Sequence, residues 1–110
     1  MEREAHLVDI DSLEESNFIM DLADGSVDRF WIGLNDLKNE DHFVRSDGNA
    51  PRFLNWFRGE PNNHFYSEDC VEVIMGYSSG KRFNGRWNDL SCDTTQAFVC
   101  EKAEGKLINF

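Results

Sequence analysis

A chain of 110 residues has room for one domain, since a single core organises about 100 to 150 residues. Hydrophobic residues at 40% and aromatics at 13%, nine Phe and three Trp among them, exclude a disordered chain and supply the mass of a core. A formal charge of −10, from 21 acidic against 11 basic residues, argues against nucleic acid as a partner, and no apolar run reaches the ~18 residues that would insert in a membrane.

The opening MEREAHLVDI has neither the basic start nor the apolar stretch of a signal peptide. DIDSLEESNFIMDLADG then reads as one helix. Ser12 accepts from the amide three residues on while Glu15 reaches back, a capping box, and Asp24-Gly25 ends the segment. Phe18, Ile19 and Leu22 are the expected apolar face.

Beyond Gly25 the character changes to strands and long polar stretches. RFWIGLND, CVEVIM and AFVCEK are short, rich in branched or aromatic residues and bounded by turn formers, so each reads as a strand. In CVEVIM, Val71, Val73 and Met75 alternate imperfectly with Glu72 and Ile74. Residues 35 to 63 and 76 to 92 are dense in Asn, Asp and Gly. Phe43, Phe53, Trp56, Phe57 and Trp87 lie within them and are read as pins holding these loops to a core.

Cys70, Cys92 and Cys100 match neither C-x-x-C metal spacing nor a redox motif, and the only histidines are His6, His42 and His64. One disulfide and one stranded thiol is the simplest reading; where such a bond persists, the setting is oxidising and extracellular. GEPNNHFYSEDC gathers Glu60, Asn62, Asn63, Glu68 and Asp69 in one loop, and RWNDLSC, read as a turn, supplies Asn88 and Asp89 just before Cys92. Carboxylates and amide carbonyls are the hard oxygens that Ca²⁺ takes, about six to eight at a time. Taken singly, each acid is more readily a solvated loop carboxylate, and no EF-hand pattern is present.

WIGLND, NWFRGEPNN, EDCVE, GRWNDLSC and FVCEK stand in the order and near the spacing of the C-type lectin domain, which the chain resembles from AHLVDIDSLEE to FVCEK. The resemblance implies an α+β, C-type lectin-like fold: two helices and small antiparallel sheets with a long calcium-binding loop region. It implies a domain over 1–103 that lacks the family's N-terminal strand and first cysteine, with 104–110 as a tail. It pairs Cys70 with Cys92 and leaves Cys100 free, joined to a missing cysteine, or bridging two chains.

For the principal Ca²⁺ the resemblance implies Glu60, Asn62, Glu68, Asn88 and Asp89, with a cis bond at Pro61. For an auxiliary Ca²⁺ it implies Asp36, Glu40, Asn63, Glu68 and Asp69. Glu60, Asn62, Glu68, Asn88 and Asp89 would also read the sugar: carboxylates only accept hydrogen bonds, and amide nitrogens only donate. The order Glu60 then Asn62 goes in the family with equatorial 3,4-hydroxyls, as in mannose, N-acetylglucosamine and, through an equivalent pair, fucose. His64 stands where some relatives pack a side chain on the sugar ring, and is equally an exposed loop histidine. Lys81, Arg82 and Arg86 read either as a solvated hairpin or as a contact for an extended or acidic glycan.

The chemistry so implied is binding, not catalysis, at a shallow site to which several copies in an oligomer would add avidity. A protein- or surface-binding module with a structural calcium loop is the competing function. An enzyme is disfavoured, because adjacent Glu68 and Asp69 cannot flank a scissile bond from opposite sides.

Overall fold

The computed structural model describes residues 5–61, 68–102 and 105–109, with backbone alone at Ala5, Lys102 and 105–109. Strand β1 (Ala5–Leu7) leads to helix α1 (Leu13–Ala23), β2 (Arg29–Asn35), β3 (Cys70–Ile74), β4 (Tyr77–Ser78), β5 (Lys81–Arg82), β6 (Arg86–Leu90), β7 (Cys100–Lys102) and β8 (Gly105–Asn109). This is an α+β arrangement of small antiparallel sheets, in the orders β1-β7-β8 and β2-β3-β6, with a β4-β5 hairpin. One helix, not the two implied by the resemblance, is present among the described residues. The long stretches between strands carry too many Asn, Asp and Gly to favour another.

Helix α1 starts as its sequence demands: Ser12 Oγ accepts from the Glu15 amide at 3.1 Å, and Glu14 and Glu15 face the positive end of the helix dipole. It stops where the Asp24 amide donates to the Met20 carbonyl and Gly25 takes φ 78°. The buried face differs from expectation. Ser16, Ile19 and Ala23 face the core, whereas Phe18 and Leu22 are 50% and 42% exposed. The face that meets the core is therefore mostly small, Ser16 and Ala23, with Ile19 as its one bulky side chain.

Strand β3 runs through the middle of its sheet, and Val71, Glu72, Val73 and Ile74 are all buried, so the alternation expected of a half-buried strand is lost. Val8, Ile10, Phe30, Ile32, Leu34, Trp87 and Val99 complete the core around it. The segment Arg86–Leu90, expected as a turn, is strand β6, paired along its whole length with β3. The loop aromatics behave as pins: Phe43 meets Trp56, and Phe53 and Trp56 each meet Trp87, edge to face with ring centroids 5.0, 5.8 and 6.0 Å apart. Each such pair adds about 0.5–1.5 kcal/mol beyond the area it buries.

The two three-stranded sheets meet at Gly33. Its amide donates to the Val8 carbonyl at 2.8 Å, and a Cβ placed there would lie 2.5 Å from Asp9 Oδ1 and 3.0 Å from the Leu7 carbonyl oxygen. Asp9 cannot easily retreat, because the same oxygen accepts from the Ser46 amide at 2.8 Å. Gly33→Ala is therefore expected to destabilise the domain by about 1–3 kcal/mol in urea unfolding; an unchanged midpoint would show that the contact is slack.

Candidate metal centre

The end of β2 delivers Asp36 into the interior. Antiparallel pairing puts Asn35 opposite Cys70, and the Asp36 amide donates to the Asp69 carbonyl at 3.0 Å. A reverse turn follows in which Asp41, at φ 64°, donates its amide to Asp36 Oδ2 at 2.8 Å. Asp36, Glu40 and Asp69 thereby each place a carboxylate oxygen within 4.8 Å of the other two. Glu68, half-buried beside Asp69, stands outside that triangle. Asn63, the fifth expected ligand of the auxiliary ion, lies outside the described residues.

This triangle is electrostatically unfinished. Asp36 is 2% exposed, and its Oδ1 and the Oδ1 of Asp69 are buried without a hydrogen-bond donor. Burial pushes the Asp36 carboxyl up to about 7; the Asp41 amide works against that, and Asp69 and Glu40 reinforce it. Among the described residues no cationic side chain pairs with Asp36 or Asp69.

A second acidic grouping shows the contrast. His6, Asp9 and Glu101 also bring ligand atoms within 4.8 Å. There the Asp9 carboxylate accepts from the Ser46 amide, the Asp9 amide donates to Glu101 Oε1 at 3.1 Å, and Arg45 stands 3.8 Å away. Arg45 also clasps Asp11 through two bonds of 2.9 and 3.0 Å and pairs with Asp47. Among the described residues the protein supplies its own cation at Asp9 and none at Asp36. A hard divalent ion such as Ca²⁺ fits the donor set of Asp36, Glu40 and Asp69.

The residues expected around the principal ion are brought near one another by backbone. Val71 pairs with Asp89 and Glu72 with Asn88, so β6 carries both residues beside β3. The Phe57 amide donates to the Trp87 carbonyl and the Trp87 amide to the Asn55 carbonyl, each at 2.8 Å, so the segment before Glu60 lies along β6. Cys70 and Cys92 are joined, with a sequence separation of 22, and a cross-link of that span restricts the unfolded chain by about 3 kcal/mol. The Glu60–Pro61 peptide is cis. Asp89 is fully buried, and Glu60, Glu68 and Asn88 are half-buried. Glu60, Glu68 and Asp89 do not converge within 4.8 Å as the Asp36 triangle does. Asn62 and His64 lie outside the described residues.

Glu72 was overlooked in the sequence, where it reads as the polar member of an alternating strand. It is 0% exposed, its Oε1 lies 3.2 Å from Arg29 Nε, and its Oε2 accepts from Asn88 Nδ2 at 2.8 Å. A carboxylate only accepts, so it selects the nitrogen end of the Asn88 amide and leaves Oδ1 for another partner. An acid inside CVEVI was the available signal, but its pairing with Arg29 appears only once the strands are in register.

Cys100 is buried and free, and burial raises its thiol pKa, which keeps it protonated and unreactive.

The Asp36 carboxyl gives a signed pH prediction for metal-free protein. Its folded pKa exceeds the ordinary 3.8, so the folded state holds the proton more tightly and this group's stabilisation is lost as pH rises through about 7. Asp36→Asn should remove that loss, with its Tm advantage over the parent growing between pH 4 and 8. A constant difference across the range would contradict the burial of an uncompensated charge.

Comparison with known proteins shows the family and the fold. Residues 1–102 match the family described as the Lectin C-type domain. The chain is 39% identical over 103 residues to a hepatic lectin of Gallus gallus, covering 92% of this chain and 45% of that protein. It therefore spans less than half the length of that relative. The mouse scavenger receptor C-type lectin carbohydrate-recognition domain superposes with a TM-score of 0.73 at 35% identity, covering 87% of this chain and 68% of that one. A calcium-independent type II antifreeze protein superposes with a TM-score of 0.70 at 27% identity, covering 87% and 66%. The C-type lectin-like fold is thus common to neighbours with different ligands, and this chain belongs to the Lectin C-type domain family.

Proposed function

We propose that the chain is a calcium-dependent carbohydrate-binding domain of the mannose type. The observation that carries the reading is the triangle of Asp36, Glu40 and Asp69, in which one buried oxygen of Asp36 and one of Asp69 lack a donor and neither of those two residues pairs with a described cationic side chain. Such a cluster is destabilising when ionised unless a cation completes it.

Asp36, Glu40, Asn63, Glu68 and Asp69 would hold an auxiliary Ca²⁺; Glu60, Asn62, Glu68, Asn88 and Asp89 would hold the principal one. When bound, the principal ion offers open coordination positions to two neighbouring sugar hydroxyls. Around it the protein's part is hydrogen bonding: Glu60 and Glu68 accept from hydroxyls, Asn62 and Asn88 donate to them, and Glu72 holds the Asn88 amide in one orientation. Glu60 before Asn62 supports equatorial 3,4-diols over the galactose arrangement. The setting is extracellular, consistent with the Cys70–Cys92 bond, and oligomerisation would raise avidity at a weak single site. No helix among the described residues is long and apolar enough to cross a membrane.

A second reading has one observation in its favour. The likeness to a calcium-independent antifreeze protein shows that this backbone also occurs in a protein named for a different ligand. In that reading the acidic triangle is a structural calcium site and the surface binds protein or another surface.

Immobilised mannose should retain the domain in calcium and release it in EDTA; retention undiminished by chelator would exclude the mechanism. Glu60→Gln combined with Asn62→Asp should shift preference from mannose toward galactose. An unaltered sugar profile would count against the assignment of these two residues.

A further inference from the structure

Apart from the proposed ion sites, the most distinctive surface is a basic groove on an otherwise acidic molecule. It has a volume of roughly 550 Å³ between the Phe57–Arg58 segment and the turn that joins β5 to β6, and Arg58, Arg82 and Arg86 project on it. An adjoining hollow of roughly 430 Å³ shares Phe57, Arg58 and Arg82 and adds Lys81. Four of the chain's 11 basic residues line this surface, and none of the described acidic residues does. We infer that the groove is a subsite for an anionic substituent, a sulfate ester or a carboxylate, on the saccharide bound at the neighbouring site; the inference rests on the carbohydrate reading above.

The groove is concave and its floor is firm. Phe57 stacks on Phe83 with centroids 4.0 Å apart and planes 26° from parallel, and Phe83 is buried. The hairpin above it is compact: Tyr77 pairs with Arg82 and Ser78 with Lys81, and Ser79, Gly80, Asn84 and Gly85 take positive φ at its two turns. Its volume falls within the ~300–1,000 Å³ typical of small-ligand sites.

The charges are arranged but not neutralised. Arg58, Lys81 and Arg86 are exposed and make no ion pair among the described residues. Arg82 is oriented by Tyr77, whose hydroxyl accepts from Nε at 2.8 Å and from Nη2 at 2.6 Å and whose ring centroid lies 5.3 Å from the guanidinium carbon. A phenol positions that guanidinium without cancelling its charge. Elsewhere in this chain exposed and half-buried arginines are spent on acids, Arg29 on Glu72 and Arg45 on Asp11. Planar, forked guanidinium groups free of such partners match sulfate and carboxylate oxygens.

Position links the groove to the sugar-reading residues. Arg58 stands two residues before Glu60 and Arg86 two before Asn88, and the backbone bonds of Trp87 to Asn55 and Phe57 hold both segments together. A glycan at the proposed principal ion would find the cations beside it. Charge also selects the ligand: on a molecule of charge −10 an anion is drawn to a cluster of basic side chains such as this one, and the attraction weakens as salt rises.

The test measures binding of three conjugates in calcium: mannose, 6-O-sulfomannose and mannuronic acid, each at low and high salt and each repeated in EDTA. At low salt the sulfated or uronic conjugate should bind at least about fivefold more tightly than mannose, with the advantage shrinking near 0.5 M salt. The two anionic arms show which group is preferred. Arg58→Ser with Lys81→Ser should remove the advantage and leave neutral mannose binding unchanged. Mannose binding with no anionic advantage, or an advantage that survives the double substitution, overturns the groove and leaves the carbohydrate reading standing. Sulfomannose bound equally in EDTA, with mannose not bound at all, overturns the calcium reading and keeps the groove as an anion site. Displacement of sulfomannose by a sulfotyrosyl peptide at lower concentration than by the sugar itself would assign the groove to protein and overturn the inference.

Discussion

Strand β3 is the constraint on which the other functional elements depend. Its neighbours are β2 on one side and β6 on the other, and its first residue carries the disulfide to Cys92. Asp36 is positioned by the exit of β2 and its hydrogen bond to Asp69, one residue before β3 begins; Asn88 and Asp89 are positioned by pairing with Glu72 and Val71. Val71, Val73 and Ile74 bury nearly all their surface, each contributing about 1.5–3 kcal/mol as an upper estimate. A slip of one residue in β3 would turn Glu72 away from Asn88 and separate the two acidic segments.

Two buried acidic groupings in one small domain meet burial in opposite ways. Asp9 sits with Arg45 and Ser46, a closed arrangement whose charges and hydrogen bonds balance within the protein. Asp36 has one amide and two acidic neighbours, and its proton affinity rises accordingly. Stability argues for the first pattern, so the second is tolerated in a domain held elsewhere by its core, a disulfide and a chain of edge-to-face aromatics. Strongly perturbed acids of this kind cluster at functional sites, which supports the proposal of an ion there. Glu72 ties the proposed sugar-reading Asn88 to the same strand, so the polar centre and the hydrophobic core are not separable layers.

Local chemistry was legible wherever one residue decides it. Ser12 marked the start of the helix, Asp24 and Gly25 its end, and the β-branched runs marked β2 and β3. Linear motifs around Cys70 and Cys92 were enough for the family and for the disulfide, because pattern and spacing survive in sequence. What depends on tertiary neighbours was not legible. Phe18 and Leu22 have helical spacing as good as that of Ser16 and Ala23, and only packing of Ile19 and Ala23 into the core selects the smaller pair. Arg86–Leu90 reads as a turn until β3 is available to pair with it, and the burial of Glu72 depends on Arg29 arriving from another strand. The members of the Asp36 triangle were named residue by residue through the resemblance, yet that Asp36 and Asp69 meet no cationic side chain among the described residues is a property of the fold.

Calorimetric titration of calcium into chelator-treated protein at pH 7, in two buffers of different ionisation heat, tests most directly whether the acidic centre is a metal site. Saturable binding at or below about 1–10 mM with net release of protons is expected, because Asp36 holds a proton near that pH until a cation replaces it. Absence of saturable heat over that range, with no protons released, would contradict it.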